Sequence, residues 1–312
     1  MIIHIRFAGA AGGGGWFNRR TLVVVFSAMA FAAFSEVAQA GPVTNNLVFW
    51  VDADDLDGDG VSEGLGESGQ TAGSVATWVN KSAINGAPTA TQGSALFQPT
   101  LTLGALNGRP VVRFDGLDDY LQSASFTTAL AQPTEMYIVW KADSNGSPGG
   151  GFFACIAVDG NSGSARQAVT YEFIGGQGGD SLTMYGGAPT FGALIFNSTF
   201  SAPIYETAMF NGASSTMRVN GQSVAAFNVN GGPGTESLGG VTLGGRYDLF
   251  GGDRLTLDGY IAELLIYSSP LNTTDRDAVE SYLNGHWSIV PEPTATLLLA
   301  VGGLLLFHRR CR

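Results

Sequence analysis

Three aspartates alternate in the stretch DADDLDGDGVSE: Asp55, Asp57 and Asp59, with Gly60 directly after them. Oxygen donors at positions 1, 3 and 5 followed by a turn glycine open an EF-hand-type loop, which is chemistry for a hard cation such as Ca2+. The pattern then breaks. Position 12 falls on Gly66, Glu67 comes one residue late, and no flanking helices are indicated. The stretch therefore reads as a calcium-seeking loop of Asp55, Asp57 and Asp59, completed by Glu63 or by carbonyls. A solvated acidic insertion after a strand is the competing reading, and both stay open here.

A second acidic group, Asp115, Asp118 and Asp119 in FDGLDDYL, sits at a strand end. Such aspartates serve a turn by accepting backbone N–H bonds; a metal or ligand-rim role for Asp118 or Asp119 is the lesser alternative. Glycosidase chemistry needs two carboxylates astride the scissile bond. No E-x-D-x-x-E strand occurs, and Asp258 to Glu263 is the wrong spacing. Outside the two ends the only histidine is His286, which argues against a histidine triad or a three-histidine zinc centre. Cys155 lies in the apolar run GFFACIAV and reads as a buried, inert thiol. No catalytic residue is assigned.

The elements that must position these residues are short strands. NLVFWVDA, RPVVRFDG, EMYIVWKA, QAVTYEFIG, IYETAMF and GYIAELLIY are rich in β-branched and aromatic residues and bounded by Gly, Asn, Asp or Pro. EMYIVW is apolar on both faces, as a strand between two layers would be. Asn220-Gly221 in MRVNGQSV is a type I′ hairpin signal, and Asn211-Gly212 is a second turn. One helix is expected over NTTDRDAVESYLNGHW, capped by Thr274 with Asp277 three residues on, and with Val279, Tyr282, Leu283 and His286 or Trp287 on one face. Glycine numbers 45 in 312 residues, about twice the usual share, and is scattered as turn residues are.

Both ends differ from this middle. Arg19 and Arg20 precede the apolar stretch 21–34, and Ala38-Gln39-Ala40 supplies a small-residue cleavage site, so residues 1–40 read as a secretory signal peptide cut after Ala40. At the other end Pro291-Glu292-Pro293 is followed by 14 residues without a charge, 294–307, and by Arg309, Arg310 and Arg312. As a helix that run is roughly 21 Å long against a hydrocarbon core of about 30 Å, which suits transient membrane association better than a permanent span. Between the ends, nine Lys and Arg stand against 24 Asp and Glu, a formal charge of about −15. Such a surface disfavours nucleic acid and favours cations. One cysteine remains there, so the core must hold the domain without an internal disulfide.

Two resemblances follow from these residues. The Pro291-Glu292-Pro293, apolar run and arginine tip resemble the PEP-CTERM sorting signal of Gram-negative bacteria. That resemblance implies export across the inner membrane, an exosortase-type processing protease as partner, and a destination at the cell envelope, cell surface or extracellular matrix. An ordinary tail anchor with a chance Pro-Glu-Pro is the alternative. The blocks LVFWVDADDLDGDG…TWVNKS, LNGRPVVRFDGLDDYLQ, MRVNGQSV and DGYIAELLIYSSPLNTTDRDAVESYLNGHW span nearly all of 45–288 and, in that order, resemble the laminin-G-like domain. This implies an all-β concanavalin A-like jelly-roll sandwich of two antiparallel sheets with one C-terminal helix over 41–290, often binding glycans or proteins and often with a structural Ca2+.

A sugar needs exposed aromatic faces. Trp50 and Trp140 lie in buried-strand patterns, whereas Tyr185, Tyr247 and Phe250 stand in glycine-rich contexts and are the better ligand-binding candidates. The sequence thus predicts a signal peptide at 1–40, a lectin-like domain at 41–290 and a sorting signal at 291–312. It further predicts a non-enzymatic surface or matrix protein whose partners are extracellular polysaccharide or surface proteins. A polysaccharide-active enzyme on the same fold and a structural matrix protein without a discrete ligand are the alternatives.

Overall fold

The computed structural model describes residues 41–63, 73–82, 88–144, 153–162, 165–174, 179–187, 192–246 and 255–289. The leader 1–40, the sorting segment 291–312, Tyr247 and Phe250 lie outside the described residues. Eighteen strands follow one another among these residues. The first nine are β1 (Leu47–Asp52), β2 (Gly73–Ser74), β3 (Thr77–Trp78), β4 (Ala90–Thr91), β5 (Thr100–Leu106), β6 (Arg109–Asp115), β7 (Leu121–Ser123), β8 (Thr134–Ala142) and β9 (Phe153–Asp159). The rest are β10 (Ala168–Ile174), β11 (Gly179–Tyr185), β12 (Ala193–Asn197), β13 (Ile204–Phe210), β14 (Thr216–Val219), β15 (Gln222–Ser223), β16 (Phe227–Val229), β17 (Thr242–Leu243) and β18 (Asp258–Tyr267), followed by the helix α1 (Thr273–Trp287).

They form two antiparallel sheets. One runs β15-β14-β13-β8-β18-β6-β5-β2, with β1 also paired to β18; the other runs β16-β12-β11-β10-β9-β17-β7-β4-β3. The sheets face each other across one apolar core that includes Phe49, Phe114, Leu121, Ile138, Trp140, Val158, Leu182 and Leu243. This is the expected all-β sandwich. The first seven residues of β8 are all buried, because the second sheet covers one face and α1 covers the other. The double-sided apolar run in the sequence has that physical cause.

The Asn220-Gly221 hairpin is as expected, with φ of 49° and 74° at the two turn residues. The helix also forms where its apolar spacing places it, burying Val279, Tyr282, Leu283 and Trp287. Burial of each apolar side chain stabilises the docked helix by about 1.5–3 kcal/mol. Its cap differs from expectation. Asn272, not Thr274, is the N-cap, and its side chain accepts from the Asp275 N–H at 3.0 Å. Asn is the stronger cap, and starting two residues earlier puts Asp275 in the first turn, beside the positive end of the helix. At the far end Ser288 takes the left-handed conformation, and Asn107 of the β5–β6 turn donates its side-chain N–H to the carbonyls of Trp287 (2.6 Å) and Ser288 (3.1 Å).

Among the described residues no helix is long and apolar enough to cross a membrane.

Candidate functional site

The loop after β1 folds as a series of aspartate-centred turns. Asp52 accepts from the N–H of Asp54 (2.9 Å), Asp57 from Asp59 (3.2 Å), and Asp59 from Val61 (2.8 Å). These bonds leave one oxygen each of Asp55, Asp57 and Asp59 within 4.8 Å of one another, with Asp55 buried and the other two exposed. The alternation in the sequence therefore does bring three carboxylates together. Hard oxygen donors in this number fit a cation such as Ca2+ in kind.

A resident charge already competes for them, however. The Lys81 ammonium sits 2.7 Å from Asp55 and 3.1 Å from Asp52, and the other Asp55 oxygen accepts from Gly60 N–H at 3.2 Å. Burial works to lower the Lys81 pKa, but the two aspartates outweigh it and the value is raised. The same ammonium lies over the Trp50 ring, 4.4 Å from its centre. Glu63 stands apart from the group of three: it is buried and accepts the Leu56 N–H at 2.7 Å.

Beside this loop lies a cleft of about 380 Å³, bounded by the 54–63 loop and the β5–β6 hairpin. Its walls carry Asp54, Ser62, Glu63, Asn107 and Arg109, with Leu103 and Pro110 as apolar members. Asp54 is bonded by Arg109 and by the Ser62 hydroxyl. His286 of α1 brings Nε2 to 3.6 Å from Asp54 and 3.9 Å from Asp52, and burial holds its pKa below the ordinary imidazole value.

Behind the cleft, α1 is locked to the sheet by a carboxylate. Glu263 of β18 is fully buried and accepts from Trp50 Nε1 (2.8 Å), Tyr282 OH (2.9 Å) and Trp287 Nε1 (2.6 Å). Burial pushes its pKa up to about 8, Asp52 adds to the shift, and the three donors pull against it. Glu135 with Arg276 (2.8 Å) and Glu280 with Arg218 (2.7 Å) tie other parts of the helix to the sheet in the same way. Glu206 of β13 is also fully buried, inside the sandwich. Among the described residues it takes one bond, from Trp140 Nε1 at 3.3 Å, and burial pushes it up to about 8.

The remaining sequence candidates separate. Asp115 accepts from Leu117 (2.8 Å) and Asp118 (3.2 Å), and Asp119 accepts from Asp115 (3.0 Å), so this second group serves the turn as expected. Burial, then the Asp115 charge, raises Asp119 to about 6. Gly116 there has φ +76°, and a Cβ on it would lie 2.7 Å from that of Asp258, so only glycine fits. Cys155 is buried, with its thiol pKa raised by that burial. Trp140 is buried as expected, whereas Trp50 is half-buried. Tyr185 ends β11 rather than standing in a loop; it is half-buried, with the Arg166 guanidinium 5.0 Å from its ring centre and Arg166 bonded to buried Asp159 at 2.7 Å.

Sequence reasoning missed Glu263, Glu206, Lys81 and the cleft. A signal existed for the first two: each is an acid inside an otherwise apolar strand, in YIAELLIY and IYETAMF.

No family model matches the chain, and no curated protein matches it. Solved structures do. A mutant of HCR/D is 10% identical, with 78% of this chain and 52% of that one covered and a TM-score of 0.50. The receptor binding domain of botulinum neurotoxin C/D mosaic serotype is 10% identical over 77% of this chain and 51% of that one, TM-score 0.48. Trypanosoma rangeli sialidase in complex with sialic acid is 12% identical over 81% and 35%, TM-score 0.46. The chain thus spans about a third to a half of the length of the structures it matches. At such identities the likeness is one of fold alone, and what this chain is similar to is an architecture: a jelly-roll-like sandwich of two antiparallel sheets.

Proposed function

We propose that this is an exported, non-enzymatic surface or matrix protein whose 41–290 domain is a laminin-G-like, lectin-like module for glycan or protein partners. Residues 1–40 would be removed as a signal peptide. Residues 291–312, with Pro291-Glu292-Pro293 and the arginine tip, would be handled by an exosortase-type protease at the inner membrane of a Gram-negative-type bacterium. The observation that carries the binding-module reading is how the buried glutamates are used. Glu135, Glu263 and Glu280 each take part in a side-chain bond that ties the helix to the sheet. Carboxylates spent on packing are not poised astride a bond. Ca2+ at Asp55, Asp57 and Asp59 would then be structural, stiffening the loop beside the cleft.

A polysaccharide-active enzyme is the second reading, favoured by one feature: Asp54 and Glu63 both line the cleft. Against it, Asp54 is already bonded by Arg109 and Ser62. Both readings are tested by presenting the full-length chain to a glycan array with and without Ca2+ and then to the bound glycans in solution. Binding without turnover is the expected outcome. Release of reducing ends would establish the enzyme, and silence across glycans would leave a structural or protein-binding role.

A further inference from the structure

The geometry points to the cleft between the 54–63 loop and the β5–β6 hairpin as the binding site, and to a neutral sugar residue, held through adjacent hydroxyls, as its ligand. This rests on the glycan-binding reading above and gives it a place. The volume of about 380 Å³ lies in the range of small-ligand sites.

The walls are set in advance. Asp54 and Glu63 are 6% and 4% exposed, Glu63 is fixed by the Leu56 N–H, and Asn107 is fixed on the helix terminus. Arg109 is aimed by its ion pair with Asp54, while 37% of its side chain remains exposed. Held donors and acceptors lose little freedom when a ligand arrives.

The cleft also has a backbone cause. The β5–β6 pairing shifts register between Thr102 and Leu106, an irregularity of the kind that re-aims side chains beside sites. The shift leaves Leu103, Gly104 and Ala105 exposed in succession, with Leu103 41% exposed on the cleft wall. Gly104 and Gly108 carry positive φ and face open space, so the wall there is bare backbone. Leucine offers an apolar surface to the C–H face of a pyranose, while carboxylate, guanidinium, amide and hydroxyl meet its hydroxyls. A carboxylated sugar is disfavoured, because Asp54, Glu63 and the neighbouring aspartates repel it.

The test uses the full-length chain on immobilised neutral hexaoses of glucose, galactose and mannose, and on an oligogalacturonate. Leu103→Trp fills the cleft from an exposed position. Arg109→Lys keeps the charge beside Asp54 but loses the planar fork. Tyr185→Ala tests the rival aromatic candidate, which does not line the cleft, and thermal melts check that each variant folds. The expected result is retention on at least one neutral hexaose, at least about tenfold weaker for Leu103→Trp and Arg109→Lys and unchanged for Tyr185→Ala. Should either cleft variant fail to fold, the other decides. Wild-type binding that survives both cleft variants, or falls only with Tyr185→Ala, overturns the cleft and leaves the glycan reading standing. Preference for the oligogalacturonate overturns the ligand class. No retention on any sugar overturns the glycan reading and the cleft with it.

Discussion

Glu206→Gln should stabilise this protein increasingly as the pH rises. The carboxyl is fully buried between the sheets, and among the described residues its one bond is to the Trp140 indole at 3.3 Å. Desolvation moves its pKa from 4.5 to about 8. The folded group therefore keeps a proton that the unfolded chain releases above pH 4.5. Its contribution to stability is complete below that pH and is lost progressively as the pH rises through about 8. At roughly 1.4 kcal/mol per pH unit, the loss is about 3 kcal/mol at pH 7 and approaches about 5 kcal/mol above pH 8. Glutamine cannot ionise, keeps an oxygen for Trp140 and nearly keeps the shape. Its amide N–H₂ and the hydroxyl of the neutral acid meet the same unpartnered spot, so that penalty largely cancels at low pH. Urea unfolding of the full-length chain, followed by tryptophan fluorescence at pH 5, 7 and 9, measures the difference. The variant should match the wild type near pH 5 and exceed it by several kcal/mol at pH 9. A difference that stays flat with pH would refute the reasoning, because it would mean that the carboxyl is either hydrated or already ionised in the fold.

Three further outcomes follow from the geometry. Tyr282→Phe removes one of the three donors to Glu263 and should cost about 1–3 kcal/mol in urea unfolding, with the loss of protection in hydrogen exchange centred on α1; uniform loss across both sheets would contradict the latch. Ca2+ titrated calorimetrically into the full-length chain should give heat at millimolar metal or below, and Asp57→Asn with Asp59→Asn should abolish it; a silent wild type ends the calcium assignment. The Cys155 thiol, buried and raised in pKa, should resist a thiol reagent in the native state of a Cys311→Ser chain and react on unfolding, so rapid native labelling of that variant would refute its burial.

What was legible in the sequence was local. The Asn220-Gly221 turn depends on two adjacent residues, α1 on spacing within one segment, and the burial of β8 on a run of five apolar side chains. The site was not legible, because its bonds are distant. Trp50 and Glu263 are 213 positions apart, Arg109 and Asp54 are 55 apart, and the Glu206 indole partner is 66 residues away. Alternation drew attention to Asp55, Asp57 and Asp59 and away from Asp54, the aspartate between them and the strand that faces the cleft. Tyr185 illustrates the opposite error: glycines after it suggested a loop, but a residue at a strand end has the same following sequence.

The two acids that look misplaced in apolar strands have opposite electrostatic solutions. Glu263 gathers three donors from two elements packed on its strand: Trp50 from β1, Tyr282 and Trp287 from α1. Removing the carboxyl would leave buried indole N–H groups without acceptors, each costing about 1–3 kcal/mol. Among the described residues Glu206 has a single donor, the Trp140 indole. The first acid therefore specifies where the last helix docks, and through Asn107 and His286 that docking also fixes one end of the cleft. The second holds nothing comparable, so replacing it is expected to stabilise the sandwich without moving the cleft. If Glu206→Gln weakened glycan retention, the two carboxyls would not have the separate roles that their partners assign them.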